Sequence, residues 1–351
     1  MLKFDNVVVR GIAACVPGRI RENRALSIFG EDGADNFIKS VGVERRRTVS
    51  SSECSSDLCA AAAERLIADL DWKKEEIECL VFVSQTPDYV LPATSCLLQN
   101  RLGLSQKCIC LDISLGCSGW IYAMSTAAAY ISVGKKKALV LAGDTITKLC
   151  SPKDKSTYPL FGDAGTATAL EYSSDYTSGL TFELAVDGSG SDVIIVPDGG
   201  FRNLISESSF VEKEKAEGLR LNNLQLHLEG MDVFTFGISK APSIVRLLLD
   251  ETGTDKDSVD FYVFHQANLF MNEKIRKKLG LPGEKVPYSL KNFGNTSCAS
   301  IPLTMVTEMR GELSDRQLSI VTCGFGVGLS WGACHFTTDK IVCPELIEYK
   351  G

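Results

Sequence analysis

Cys117 stands where a cysteine side chain can act as a nucleophile. The stretch Leu111–Met124 reads LDISLGCSGWIYAM, an apolar strand-like run, a glycine, the cysteine and then a long apolar helix. A thiolate at a helix N-terminus faces unpaired N–H groups and the positive end of the macrodipole, which favour the anion. Gly116, Ser118 and Gly119 are small and leave room for a substrate. His265 closes the apolar run FYVFH, and the ends of strands in α/β folds are where catalytic groups collect. Asn295 lies in the glycine turn of NFGNTSCASIP. Each residue alone also has a plainer reading, as a core cysteine, a hydrogen-bonded histidine and an ordinary turn asparagine. Together they form a candidate nucleophilic set, because such groups meet in space rather than in sequence. The turn Gly324–Gly332 (GFGVGLSWG) can offer a backbone N–H to a developing oxyanion, or simply connect two strands.

Holding these groups together requires an α/β architecture, and the chain alternates strand-like and helix-like segments. Strands are expected at Asn6–Ile12, Leu80–Ser84, Cys108–Ile113, Ala138–Ala142, Leu180–Val186, Phe261–His265, Lys285–Ser289 and Gln317–Cys323. Their apolar runs are continuous, so several should be buried on both faces. Helices are expected near Asp57–Ala68, Thr94–Leu102, Ser118–Val133, Phe234–Glu251, Met271–Leu279 and Ser300–Glu312. The helix after Cys117 has no charge until Lys135 and should be surrounded by core. Val7–Gly18 and Leu184–Gly190 both run from apolar strand to glycine turn, a hint of duplication with a boundary near residues 174–180. The polar stretch Ser206–Gly218 reads as a surface excursion.

A chain of 351 residues is long enough for two core-bearing halves, here 1–175 and 176–351. A net charge of -7 argues against a nucleic-acid partner. The thirteen cysteines are scattered without a CxxC pair, and only three histidines accompany them, which suits neither zinc nor a redox motif. Most should be small buried residues in a reducing compartment, and a cytoplasmic location is expected. Arg10 interrupts any signal-peptide core, and no run reaches the length of a membrane span.

GCSGW around Cys117, HQAN at His265–Asn268, GNTS at Gly294–Ser297 and the FGxG turn at Phe325–Gly328 occur in the order seen in β-ketoacyl-acyl carrier protein synthase III enzymes. LFGDAGT at Leu160–Thr166 resembles that family's mid-chain motif, and the similarity runs from about residue 5 to residue 338. Type III polyketide synthases share the Cys-His-Asn trio and are the nearest neighbours to exclude. The resemblance implies a thiolase-like fold: two duplicated halves in a five-layered α-β-α-β-α arrangement, assembled as a homodimer. It implies decarboxylative Claisen condensation of an acyl thioester primer with a malonyl thioester. Cys117 would carry the acyl group, and the N–H groups of Cys117 and Val327 would form the oxyanion hole. His265 and Asn295 would stabilise the enolate. Acyl-CoA or acyl carrier protein would be the substrates, with no metal or redox cofactor.

The resemblance also assigns secondary roles. Leu91, at a position from which the partner subunit often limits acyl length, joins Gly326 and Gly328 as expected pocket residues. Lys274, Arg276, Lys277 and Lys278 would dock the acidic carrier protein, although Phe270 stands where a basic residue is frequent. Asn36 and Ser40 occupy positions where the family clamps coenzyme A with tryptophan and arginine, and Lys155 replaces a later arginine. These departures weaken the case for an ordinary short acyl-CoA primer. A rival reading is an acyltransferase of the same fold that passes the acyl group to an alcohol or amine; Asn295 counts against it. A non-catalytic partner subunit is disfavoured by retention of the full trio.

Overall fold

The computed structural model describes residues 1–30, 33–175, 179–216 and 219–351. Two mixed sheets form its frame. The first runs Ile347–Tyr349, Val7–Pro17, Ala164–Tyr172, Lys137–Asp144, Cys79–Val83 and Ile109–Ile113; the second runs Leu2–Phe4, Leu180–Val186, Ser330–Thr338, Leu318–Gly326 and Phe261–Phe264.

Duplication is visible in the strand pairing. In the first sheet, Val7–Pro17 pairs antiparallel with Ala164–Tyr172, which pairs antiparallel with Lys137–Asp144, which pairs parallel with Cys79–Val83. Leu180–Val186, Ser330–Thr338, Leu318–Gly326 and Phe261–Phe264 repeat the same antiparallel, antiparallel, parallel series. The terminal strands cross over, Leu2–Phe4 joining the second sheet and Ile347–Tyr349 the first. The expected boundary near 174–180 includes residues 176–178, which lie outside the described residues. We propose 1–175 and 176–351 as the two halves, with their end strands exchanged.

The layers follow from which faces are apolar. Helix Gly119–Ser132 and helix Ser300–Glu308 lie between the sheets and touch strands of both. Trp120, Ile121, Met124, Ala127 and Ala128 from the first, with Ile301, Leu303 and Met305 from the second, fill a single core between them. Trp120 is fully buried and its indole N–H donates to Thr168 Oγ1 at 3.0 Å, so its one polar atom is satisfied. Helices Ser55–Asp69 and Thr94–Leu102 cover the outer face of the first sheet. Helix Gly230–Thr252, with Leu269–Leu279 beside it, covers the second. This is the five-layered order.

The structure corrects several expectations. Lys285–Ser289 is not a strand: Gly283–Lys285 forms one 3-10 turn and the rest is irregular. Val286 is buried, Ser289 N–H donates to Gln266 Oε1, and Lys285 Nζ caps the carbonyls of Asp257 and Val259. A local turn and one side-chain acceptor thus take the N–H groups that a sheet neighbour would have bound. The helix expected over Ser300–Glu312 breaks at Met309 into Ser300–Glu308 and Arg310–Asp315. Two long strands of the frame, Ala164–Tyr172 and Ser330–Thr338, are absent from the sequence expectations, as are the short end strands Leu2–Phe4 and Ile347–Tyr349. The first reads AGTATALEY, poor in β-favouring side chains, because helix Ser55–Asp69 lies directly on it. A methyl group on Gly165 would fall 2.6 Å from Leu58 Cβ. In Ser206–Gly218 the described residues are largely exposed, with Ser209 buried; residues 217 and 218 lie outside the description.

Candidate active site

Strand Ile109–Ile113 delivers the chain to the turn holding Cys117, and helix Gly119–Ser132 begins two residues later. The turn closes with Gly119 N–H donating to Gly116 O at 2.6 Å. The hairpin linking Leu318–Gly326 to Ser330–Thr338 lies across it, so GFGVG is both a strand connection and a wall of the site. Only glycine permits this contact. A methyl group on Gly326 would sit 2.6 Å from Cys117 Cβ and 2.8 Å from Sγ, and one on Gly324 2.8 Å from Cys117 O. Burial, and secondarily the Asp144 charge, push the Cys117 thiol up to about 12, against the Ser297 hydroxyl and the N–H groups of Cys117 and Val327, which act in the opposite sense.

His265 follows strand Phe261–Phe264, and its N–H continues the parallel ladder to Cys323 O at 2.8 Å. Its Nδ1 lies 2.7 Å from Ser300 Oγ, its carbonyl accepts from Asn272 Nδ2 at 3.0 Å, and its ring meets Phe325 edge-on at 5.5 Å. Burial lowers its pKa to about 3, so the imidazole is neutral at physiological pH.

Asn295 is fixed from both sides. Its N–H donates to Leu160 O and its carbonyl accepts from Gly162 N–H, each at 3.0 Å, which ties the GNTS turn to the LFGD segment. Asn295 Oδ1 accepts from Ser297 N–H at 2.9 Å, and Nδ2 lies 3.5 Å from Ala267 O. The amide therefore keeps an N–H to offer a ligand. Asp163 of the LFGD segment is structural: it accepts from Val49 N–H, Thr147 N–H and Thr147 Oγ1, and burial raises its carboxyl to about 6.

Cys117, His265 and Asn295 line one cavity of about 360 Å³, together with Gln85, Ser297, Phe325, Gly326 and Val327. Much of its remaining lining is apolar, formed by Phe37, Val41, Ile146, Ile194, Leu226, Leu228, Val233 and Met271, with Lys155 the cation among its lining residues. Of the expected pocket residues, Gly326 lines the cavity but Gly328 and Leu91 do not. Gly328 (φ +136°) faces away at the hairpin tip, where a side chain would press on Ser330. Leu91 is 82% exposed on the loop before helix Thr94–Leu102. Asn36 and Ser40 belong to helix Gly33–Val41, whose Phe37 and Val41 face the cavity; Ser40 Oγ is bonded to its own helix at Asn36 O.

The basic cluster on helix Leu269–Leu279 is less uniform than its sequence suggests. Arg276 is tied to Glu273 at 2.8 Å and to Leu281 O at 2.6 Å. Lys278 reaches Ile238 O at 3.1 Å, and Lys274 lies over the exposed Phe270 ring, itself stacked on Phe234. Sequence reasoning missed Gln85, Ser300 and Asp144 as site neighbours. The serine lay in view within GNTSCAS, but only the fold brings it to His265.

Comparison with known proteins agrees with this geometry. Residues 111–188 match the family described as 3-oxoacyl-[acyl-carrier-protein (ACP)] synthase III, and residues 249–338 match its C-terminal counterpart. The β-ketoacyl-[acyl-carrier-protein] synthase III of Clostridium acetobutylicum is 33% identical over 94% of this chain and 98% of its own length. A crystal structure of 3-oxoacyl-(acyl-carrier protein) synthase from Burkholderia xenovorans LB400 superposes with a TM-score of 0.93 at 40% identity, over 99% of this chain and 98% of that one. The synthase III of Pseudomonas aeruginosa PAO1 gives 0.84 at 28% identity, over 96% and 99%. With two mixed sheets, a helix-capped cysteine and full-length similarity in agreement, the chain belongs to the β-ketoacyl-acyl carrier protein synthase III family of thiolase-fold acyltransferases.

Proposed function

We propose that this enzyme condenses an acyl thioester primer with a malonyl thioester through an acyl group carried on Cys117. One observation carries the residue roles: a single cavity presents the Cys117 sulfur with two N–H groups near it, a neutral His265 and an Asn295 amide with a free N–H. In the first half-reaction the Cys117 sulfur attacks the thioester carbonyl, and the carrier thiol leaves. The N–H groups of Cys117 and Val327 hold the oxyanion. In the second, the malonyl thioester loses CO₂, and its two electrons become an enolate whose oxygen accepts hydrogen bonds from His265 and Asn295. The enolate carbon attacks the acyl-Cys117 carbonyl, the C–S bond breaks, and the cysteine is released.

Carrier protein as the donor is supported by the exposed Lys274 and Lys277 and by the missing aromatic and arginine at Asn36 and Ser40. A homodimer is supported by the open edge of strand Ile109–Ile113 and by the adjacent run Tyr89, Val90 and Leu91, each more than half exposed. In that assembly Leu91 would pack against the second copy.

Intact-protein mass spectrometry with a panel of acyl-CoAs and acyl carrier proteins tests the reading. An acyl adduct on Cys117 that malonyl carrier protein discharges with CO₂ release is the expected result. Discharge by alcohols or amines alone would replace condensation with simple acyl transfer.

A further inference from the structure

Beside the nucleophile lie two polar side chains that the condensation scheme does not use. Asp144 ends strand Lys137–Asp144, and Ser297 belongs to the turn Ser297–Ala299 packed against that strand. They are 0% and 1% exposed. Asp144 Oδ1 accepts from Gln85 N–H at 2.7 Å, Ser84 Oγ at 2.9 Å and Thr86 Oγ1 at 3.1 Å. Its other oxygen, Oδ2, has no well-formed hydrogen bond, and neither has Ser297 Oγ. Two buried polar atoms without a well-formed hydrogen bond, with the Cys298 thiol a further neighbour of Asp144, are a costly arrangement unless they have a use.

Ser297 sits on the turn packed against the strand that ends in Asp144 and shares the cavity wall with Cys117. Its hydroxyl lowers the pKa of both Cys117 and Asp144. Its backbone is in the left-handed region (φ +52°), unusual for a residue other than glycine. That conformation is held by Ser297 N–H on Asn295 Oδ1 at 2.9 Å and by the neighbouring Cys298 Sγ on Val83 O at 3.4 Å. Backbone strain retained at a reactive centre suggests that the side-chain position matters. The titratable groups facing Asp144 among the described residues are Cys59, Cys117, Cys298 and Asp163, all neutral or anionic. Burial raises the Asp144 carboxyl, which makes it a better proton acceptor than an exposed aspartate.

We infer that Asp144 is the proton acceptor for Cys117 and that the Ser297 hydroxyl relays the proton. As the sulfur attacks, the Cys117 S–H bond breaks and its proton passes to Ser297 Oγ. The Ser297 O–H proton moves to Asp144 Oδ2, and the carboxylate becomes a neutral acid. When the tetrahedral intermediate collapses, the same proton returns along the path to the departing carrier thiolate. No outside acid, base or oxidant is required. The inference takes Cys117 as the nucleophile of the proposed function, but its test needs no knowledge of the natural primer.

Iodoacetamide alkylation of Cys117, followed by peptide mass spectrometry from pH 6 to 10, provides that test. Sulfur displaces iodide, and the thiol proton must find an acceptor. In Asp144→Asn, Oδ1 still accepts its three hydrogen bonds, so the fold is preserved while the acceptor is lost. Ser297→Ala removes the relay without changing the backbone requirement. Both variants should alkylate at least about tenfold more slowly than wild type near pH 7 and regain rate toward pH 10, where hydroxide replaces the relay. The double variant should be no slower than either single one. Asp144 has a competing role, because its charge alone raises the Cys117 pKa. If charge is its only effect, Asp144→Asn alkylates as fast as wild type or faster, and the relay is overturned. Unchanged alkylation in Ser297→Ala overturns it equally, as does slowing that persists at pH 10. Failure of wild-type Cys117 to accept any acyl thioester would instead count against the proposed function.

Discussion

Ser300 Oγ lies 2.7 Å from His265 Nδ1, across 35 residues of sequence, and holds the ring within the cavity wall. Helix Ser300–Glu308 thus enters the site through its first residue, while the rest of it fills the core between the sheets. A neutral imidazole is useful as a hydrogen-bond donor only if its orientation and tautomer are set, and this contact sets the orientation.

Ser300→Ala should therefore slow the second half-reaction and spare the first. We expect decarboxylation of a malonyl thioester to fall about ten- to a hundredfold, while acylation of Cys117 stays within about twofold of wild type. Separate single-turnover measurements of the two steps check this. Equal losses in both would show that the serine merely supports the fold.

Gly326→Ala should abolish acylation. The added methyl would sit 2.8 Å from the Cys117 sulfur, and the hairpin cannot retreat without disturbing its pairing with Ser330–Thr338. Loss of the acyl adduct in intact-mass spectra, with an unchanged far-ultraviolet circular dichroism spectrum, is the expected outcome. Normal acylation would mean that the turn moves freely.

The histidine carries a pH signature in stability. His265 titrates near 3 when folded and at about 6.5 when unfolded, so between these values the unfolded chain binds the extra proton. Its contribution to stability is complete above about pH 6.5 and is lost as pH falls toward 3. Asp163 acts with the opposite sign: its folded pKa of about 6 lies above the unfolded value, so its contribution declines as pH rises through that window. Urea denaturation of wild type and His265→Asn from pH 4 to 8 separates the two. Wild type should lose stability relative to the variant as pH falls below about 6.5, whereas parallel curves would refute a buried neutral histidine.

On the helix Leu269–Leu279 the charges should not behave alike. Lys274→Glu and Lys277→Glu should each raise KM for an acyl carrier protein about five- to tenfold at low salt, with the effect fading as salt rises. Arg276→Glu should lower thermal stability as well, because Arg276 is bonded to Glu273 and to Leu281 O. Salt-dependent steady-state kinetics and melting curves distinguish these outcomes.

Much of the site was legible before any fold was known. A cysteine between Gly116 and a charge-free helix, a histidine ending a β-run and an asparagine in a glycine turn are local patterns, each dictated by a few adjacent residues. The same locality explains where the reading went astray. Lys285–Ser289 has the composition of a strand, but Lys285 and Val286 N–H donate to Pro282 O and Gly283 O in a local turn, and Ser289 N–H donates to Gln266 Oε1. Ala164–Tyr172 lacks that composition yet occupies the middle of a sheet, because close packing by a helix selects small residues there.

Motif, periodicity and turn chemistry act over short stretches, so the chain's residues alone carried the fold class, the family resemblance and the candidate trio Cys117, His265 and Asn295, which line one cavity. Packing of the layers then set what no segment could: Gly326 presses on Cys117, Ser300 holds His265, Leu91 stands outside its own chain's cavity, and Ser297 joins Cys117 in the cavity wall. Those relationships join residues from opposite sheets and turns, and they exist only after the layers have packed, because burial and close contact are properties of the assembled core rather than of any segment within it.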